Sequence, residues 1–445
     1  MNKGTTWQRV LLRSAHPAES QPDANPAAPA VPEQVVPEQA AATPVAPASA
    51  VTQVAEPDTG QDSGLRRRAL EAVRGVLGPA AWPVGIYCGS RLLLLVVAEI
   101  AAAMGHHAIG PEFFRFDGQW YLRLASHGYP HEALHAKSTL GFFPLYSLVT
   151  RVVAWVFFTS VARAALITTI GGGLVAAILA YRLAAGWWGE QAGRRATVVF
   201  CLFPGSIVFS MAYSECMAIP LAIGCLLALR SRRWVLAGVL AAVAGTTEPL
   251  ALVLIVVCAV AALRELRSRG WRDTQARRAL AAPLLSPAGL AALAVFLWVW
   301  TGTPFAIYLA QHYGWHQQNQ PLALLGLPVT RHLIGHPGQL LPHLIAWNIW
   351  NGVLGGVFLL ISIIVLVRGR RELSAGALTM AVGVAVVALW SILTPPNVRV
   401  ALIAFPAILV WGRRLSGRSF EIFVGAEVLL LGFTSALTFS GHMLP

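Results

Sequence analysis

Long apolar segments separated by arginine-rich turns run through this chain from about Trp82 onward. About 20 apolar residues in a helix suffice to cross the roughly 30 Å hydrocarbon core of a bilayer. Only 12% of the residues are charged, whereas about 25% are charged in a typical soluble protein. The sequence therefore predicts an all-α polytopic membrane protein.

The first 64 residues are rich in Pro, Ala, Glu, Gln and Ser and contain almost no aromatic side chains after Trp7. Such a segment cannot bury enough apolar surface to offset the entropy lost on ordering. We expect residues 1–64 to be a disordered cytoplasmic tail and residues 65–445 to form the transmembrane domain.

The formal charge of +13 is spread over the ends of the apolar segments instead of forming one patch. This distribution fits the positive-inside rule better than nucleic-acid binding. It predicts a cytoplasmic N-terminus, about eleven spans and an embedded helix near 141–160 that does not span. A first outer loop at 105–140 and a long outer loop at 301–342 would then lie outside.

Two acids and an arginine at polar breaks are the main candidates for chemistry. Asp117 is either a general base or a helix N-cap. Glu215 lies between two short spans, where a carboxylate is either functional or simply solvated. Arg399, on the predicted outer side, either grips a phosphate or reaches lipid head groups.

Other polar residues have weaker signals. Glu248 precedes Pro249 between two more short spans. It is either a functional carboxylate or simply a solvated acid in a turn. His312 and His316 have the i, i+4 spacing of metal ligands but lie in an aromatic, amide-rich interval typical of sugar-binding surfaces. Arg91, inside the first span, is expected to face Glu99 or a lipid phosphate.

The five cysteines lie in apolar runs without the spacing of a disulfide framework or a zinc site. No metal-binding residues are predicted from them.

Three ordered blocks resemble the bacterial relatives of the GPI mannosyltransferase that adds the second mannose, a PIG-V-like family. The resemblance extends from about residue 85 to 415. Its blocks are Arg115-Phe116-Asp117-Gly118-Gln119-Trp120-Tyr121, Phe142-Phe143-Pro144-Leu145-Tyr146 and Phe203-Pro204-Gly205-Ser206, the last leading to Tyr213-Ser214-Glu215. The chain departs from the family at Glu248, where relatives usually carry arginine, and at Phe116, Thr303 and Val400.

The resemblance implies a GT-C glycosyltransferase fold with an active site on the outer face and a polyprenyl-phosphate sugar as donor. It implies a catalytic role for Asp117 and a phosphate-binding role for Arg399. The predicted substrate-binding set comprises Arg115, Tyr121, Tyr213, Ser214, Glu215, Glu248, His312, His316, Asn397 and Arg399. Apart from the donor no cofactor is expected, and the need for a divalent metal is left open.

The predicted function is transfer of a hexose, mannose above all, to a lipid or glycan acceptor at the plasma membrane, with inversion. Membrane lipids are expected partners and nucleic acid is not. A lipid-linked sugar flippase or transporter is one alternative, although no internal repeat typical of transporters is found. A catalytically silent scaffold in cell-envelope assembly is the other.

Overall fold

The computed structural model describes residues 59–106, 108–316, 347–369, 374–390 and 397–443. The chain divides into Met1–Ser63, of which Thr59–Ser63 is described as the start of a helix, and Gly64–Pro445. The predicted tail up to residue 58 and residues 317–342 of the predicted long outer loop lie outside the described residues.

The described residues form helices and turns without a β-strand, which confirms the predicted all-α class. The α-helices are α1 (Thr59–Met104), α2 (Asp117–His127), α3 (Leu145–Val156), α4 (Val161–Trp188), α5 (Glu190–Leu202), α6 (Glu215–Arg230), α7 (Trp234–Ala244), α8 (Val253–Arg269), α9 (Thr274–Arg278), α10 (Ala281–Leu285), α11 (Ala288–Thr301), α12 (Ala306–Leu309), α13 (Trp347–Arg368), α14 (Ala375–Trp390), α15 (Val398–Ile403), α16 (Phe405–Arg414) and α17 (Gly417–Phe439). Short 3-10 helices cover Gly110–Phe114, Thr139–Gly141, Pro204–Phe209 and Pro249–Leu252, and a π-helical turn covers Ala310–Gly314.

Four helical segments of the described chain are long and apolar enough to cross a membrane. They are Ala80–Met104, Val161–Trp188, Thr274–Thr301 and Gly417–Phe439, the third of which comprises α9 to α11. Four shorter apolar helices accompany them, at Leu145–Val156, Trp234–Ala244, Leu354–Arg368 and Ala375–Ala388. The predicted count of about eleven spans stays a prediction.

Several helices are too short for a full crossing. Helix α3 has 12 residues, which is about 18 Å at 1.5 Å per residue. Helices α6 and α7 have 16 and 11 residues, or about 24 Å and 16 Å. These lengths are below the roughly 30 Å of the hydrocarbon core. The predicted non-spanning helix at 141–160 stays a prediction.

Small residues let the central helices approach closely. Helix α4 packs against α5 and α6, and α16 packs against α5. A Cβ atom on Gly172 of α4 would lie 2.3 Å from the carbonyl oxygen of Cys216 in α6, so this contact requires glycine. Close backbone approach of this kind is how membrane helices gain packing energy.

The guanidinium of Arg91 in α1 does not pair with Glu99, one of its two expected partners; it binds the polypeptide backbone instead. Its guanidinium donates to the carbonyl oxygen of Ser206 at 2.6 Å and to that of Cys201 at 3.2 Å, and it reaches the hydroxyl of Ser210 at 3.1 Å. The carbonyl of Cys201 belongs to the last turn of α5 and that of Ser206 to the 3-10 helix Pro204–Phe209. Both lie where the regular α-helical hydrogen bonding ends, and Arg91 supplies donors for them. Its role is to anchor this turn to α1.

Candidate active site

Asp117 is the first residue of α2 and follows a strained turn. Phe116 has φ of 57° and ψ of −119°, a conformation that non-glycine residues rarely adopt and that costs on the order of 1–3 kcal/mol. An acid at the start of a helix also lies at the positive end of the helix dipole. The helix dipole therefore favours the ionised carboxylate of Asp117 at this position.

Two contacts join the start of α2 to the start of α6. The backbone N–H of Ala212 donates to the carbonyl oxygen of Phe113 at 3.0 Å. The hydroxyl of Tyr121, one helical turn after Asp117, donates to the Ser214 hydroxyl oxygen at 2.8 Å. Burial raises the pKa of Tyr121 well above its usual value, and the Glu215 and Asp117 carboxylates add to this shift. The phenol therefore stays protonated and acts as a donor.

Arg399 joins the two acids that begin α2 and α6. Its Nη1 lies 2.7 Å from Oδ2 of Asp117, and its Nε pairs with Oε1 of Glu215. The guanidinium also lies over the ring of Tyr213, 4.9 Å from the ring centroid, where a cation–π attraction adds to the ion pairs. One planar cation thus holds two carboxylates that are distant in the sequence.

The position of Arg399 is set by the start of α15 and its packing. Asn397 caps the helix, with its side-chain oxygen accepting from the Val400 N–H at 2.8 Å. A Cβ atom on Gly205 would lie 2.1 Å from the carbonyl oxygen of Val398. Only glycine allows α15 to approach the Pro204–Phe209 turn this closely, so Gly205 fixes where Arg399 lies.

The three charged groups differ in their access to solvent. The side chain of Glu215 is 0% exposed, that of Arg399 is 22% exposed and that of Asp117 is 32% exposed. Solvent therefore reaches Asp117 and part of Arg399, whereas Glu215 is fully buried.

Glu248 is a further acid close to this cluster. It is 7% exposed, and its Oε1 has no hydrogen-bond partner in the described part of the chain. Burial raises the pKa of its carboxyl well above the usual value; Glu215 adds to the shift and Arg399 opposes it. The Leu145 N–H of α3 bonds the carbonyl oxygen of Thr246 at 3.1 Å, which fixes the turn before Glu248.

The structure thus brings together Asp117, Tyr121, Tyr213, Ser214, Glu215 and Arg399, with Glu248 nearby. Arg115 instead pairs with Glu112, its Nη2 donating to Oε1 at 2.7 Å. His312 stacks on the ring of Tyr308 at 5.7 Å between centroids, and His316 is solvent-exposed. Within the described ranges, neither Arg115 nor His316 forms an ion pair with Asp117 or a hydrogen bond to Arg399.

Sequence reasoning missed two features beside the cluster. The partner of Arg115 is Glu112, whose spacing of three residues is a signal that could have found it. The indole rings of Trp120 and Trp315 lie with their centroids 4.9 Å apart. The guanidinium carbon of Arg123 lies 4.8 Å from the centroid of the Trp120 ring. No sequence signal relates Trp120 to Trp315.

In the described ranges, no group of three or more His, Cys, Asp or Glu side chains is arranged to hold a metal ion. The i, i+4 histidines do not form one, because His312 lies in a π-helical turn that ends before His316.

No protein-family model and no curated protein matches this chain. Among solved structures, it is similar to the oligosaccharyltransferase of Archaeoglobus fulgidus in complex with Zn and sulfate, with a TM-score of 0.43, 12% identity and coverage of 78% of this chain and 53% of that chain. It is also similar to ArnT of Cupriavidus metallidurans in the apo state, with a TM-score of 0.42, 14% identity and coverage of 79% and 76%. The chain spans about half the length of the archaeal oligosaccharyltransferase. With TM-scores below 0.5, these two likenesses assign neither a family nor a function to this chain.

Proposed function

We propose that this protein is a membrane glycosyltransferase that transfers mannose from a polyprenyl-phosphate donor to a hydroxyl of a lipid or glycan acceptor. The ion-paired cluster of Asp117, Arg399 and Glu215 carries the proposal. It combines a solvent-accessible carboxylate with a cation suited to phosphate. The PIG-V-like blocks contribute to it, since the first block contains Asp117 and the last leads to Glu215. Glycosyl transfer from a sugar phosphate needs a base for the acceptor hydroxyl and a cation for the leaving phosphate.

The chemical step is a single displacement at the anomeric carbon. The acceptor oxygen attacks that carbon and its proton passes to Asp117, while the carbon–oxygen bond to phosphate breaks. The phosphate leaves with the electron pair, and the configuration of the sugar inverts. Asp117 suits the role of base because it is accessible to solvent, whereas Glu215 is fully buried.

Arg399 stabilises the charge that develops on the leaving phosphate. A guanidinium has five N–H donors, and its two ion pairs engage Nη1 and Nε. The remaining donors are those available to phosphate oxygens. Two carboxylates and an aromatic ring hold the cation in place before the substrate binds. Such preorganised charges stabilise a transition state most effectively.

Helix direction supports an outward-facing site in the plasma membrane. Helix α6 starts at Glu215 and ends at Arg230, and α7 runs back from the basic turn 231–233 toward Glu248. If the basic turns are cytoplasmic, as the positive-inside rule requires, the cluster faces outside. Donor, acceptor and membrane lipids are the partners that this arrangement needs.

The test is transfer of labelled mannose from polyprenyl-phosphate mannose to a membrane lipid extract by the purified full chain. We expect Asp117→Asn to lower the rate by about 100-fold or more, because it removes the general base. Glu190→Gln, which removes an exposed carboxylate, is the matched control and should keep the wild-type rate. A parallel arm with chelator tests metal need.

Equal rates for Asp117→Asn and wild type, at equal expression and melting temperature, would show that Asp117 is not the base. Absence of transfer by the folded wild type with several donors would instead favour the transporter or the scaffold.

A further inference from the structure

A groove of about 750 Å³ lies at the basic end of α7, away from the acid cluster. Its rim contains Arg232, Arg233 and Arg278, and its wall contains Val235, Leu236 and Val239. Glu248 follows the other end of α7. The groove follows the first half of α7, up to Val239, and the proposed active site lies beyond the other end of the helix.

The arginines at the rim are only partly neutralised by neighbouring carboxylates. Glu265 pairs with Nε of Arg232 at 3.2 Å and with Nε of Arg269 at 2.7 Å, so one carboxylate serves two arginines. For Arg233 and Arg278 no ion pair is recorded among the residues that the structure describes. Two guanidinium groups thus face the groove with donors for an anion, and guanidinium groups bind phosphate oxygens in a bidentate manner.

The wall of the groove is apolar and exposed. Val235, Leu236 and Val239 have 60%, 43% and 45% of their surfaces exposed, and their spacing places them along one side of α7. Trp234, at the start of the helix, also lines the groove, and tryptophan is enriched at membrane–water interfaces. An apolar strip that begins at an interfacial, basic rim matches the shape and polarity of a phospholipid.

We propose that this groove is a binding site for one anionic phospholipid. Arg233 and Arg278 bind the head-group phosphate, and one acyl chain lies along Val235, Leu236 and Val239. Basic recesses between membrane helices select anionic lipids because charge attraction at the interface adds to burial of the chain. The site is independent of sugar transfer and would stand if the proposed function failed.

The experiment measures binding of phosphatidylglycerol and phosphatidylcholine to the full chain in detergent by native mass spectrometry. Each basic residue near an anionic lipid surface is worth about 1 kcal/mol, which for two arginines corresponds to about 30-fold in affinity. We therefore expect Arg233→Gln/Arg278→Gln to lose about 30-fold in phosphatidylglycerol affinity while binding phosphatidylcholine as before. Arg272→Gln/Arg418→Gln removes two exposed arginines outside the groove lining and is the matched control.

A second variant tests the apolar part without changing charge. Val239→Trp fills the groove and should also lower the affinity for phosphatidylglycerol, with an unchanged melting temperature. Equal losses in the groove pair and the control pair would mean non-specific attraction and overturn the proposal. So would equal binding of the two lipids by the wild type, or full phosphatidylglycerol binding by Val239→Trp.

Discussion

Arg399 is the residue on which the charge balance of the acid cluster depends. Glu215 is completely buried, and an ionised carboxylate that loses its partner in such a place pays several kcal/mol in lost hydration. Asp117 is less dependent, since a third of its side chain reaches solvent. Arg399 therefore stabilises the fold mainly by neutralising Glu215. Its proposed binding of phosphate depends on the part of the guanidinium that is exposed.

We predict that Arg399→Leu lowers the free energy of unfolding by about 3–5 kcal/mol, because it leaves Glu215 buried without a counter-charge. Arg399→Leu/Glu215→Leu should recover most of this loss, since both charges are then absent. Unfolding in detergent, followed by circular dichroism at equal lipid content, measures the effect.

The control for this prediction is Arg194→Leu, which removes the cation of an exposed pair with Glu190. Exposed pairs contribute about 0–1 kcal/mol. If Arg399→Leu is no more destabilising than Arg194→Leu, the buried pair does not have the importance assigned to it here.

Glu248 gives a prediction about pH. Burial and the neighbouring Glu215 raise its pKa well above the usual value, so the folded protein holds this proton more tightly than the unfolded chain does. The stabilisation is fully present below the unfolded pKa of about 4.3 and is lost as pH rises through the raised folded pKa. Glu248→Gln keeps the shape and lacks the titration, so its melting temperature should exceed that of the wild type increasingly as pH rises from 4.

Glu190→Gln serves as the comparison, because it replaces an exposed glutamate. It should follow the wild-type pH profile. A difference between Glu248→Gln and wild type that does not change between pH 4 and pH 9 would contradict a raised pKa at Glu248.

At the scale of elements, the approach of α15 to the Pro204–Phe209 turn decides whether the cluster forms. Two of the three atoms nearest to a Cβ on Gly205 belong to the backbone carbonyl of Val398, and the third is the backbone nitrogen of Arg399. Backbone cannot move aside as a side chain can. A methyl group at this position must therefore displace the start of α15.

We predict that Gly205→Ala slows sugar transfer by about 100-fold, since a misplacement of about 1 Å has that effect in active sites. Gly171→Ala in α4 is the matched control, because a Cβ there meets no atom within 4 Å. Alanine in a helix is favoured over glycine by about 0.5–1 kcal/mol, so the control should keep its rate and melt slightly higher. A Gly205→Ala variant with the wild-type rate would show that α15 tolerates the shift.

Some elements were predictable from the sequence and others were not. Helices α6 and α7 could be predicted because Glu215, the basic turn 231–233 and Glu248 interrupt the apolar runs at their ends. The contact between Arg91 and the turn at Pro204–Phe209 could not be predicted. A charged residue within an apolar segment indicates that it needs a polar partner, but it does not indicate which partner. Every residue has a backbone carbonyl oxygen, so the residue types do not show which carbonyl oxygens of a turn are free to accept a hydrogen bond.

At the scale of the whole molecule, charge is sorted along the helices. Acids begin α2 and α6, whereas arginines lie at the end of α6 and before the start of α7. The all-α class follows from composition and periodicity, which are properties of short windows. The meeting of Asp117 with Arg399 does not, since it depends on how helices far apart in the chain pack. The polar breaks and the family resemblance indicated both residues, but neither predicted that they form a pair.

The Asp117–Arg399 pair has a consequence for the order of events during synthesis. The two residues are 282 positions apart, and ribosomes add about 5–20 residues per second, so Asp117 is made roughly 14–56 s before Arg399. During the later part of this interval the growing chain contains Asp117, Glu215 and Glu248 but still lacks the guanidinium that pairs with Asp117 and Glu215. The nascent protein must keep those carboxylates hydrated or protonated, and the Asp117–Arg399 pair can form only after α15 has been made.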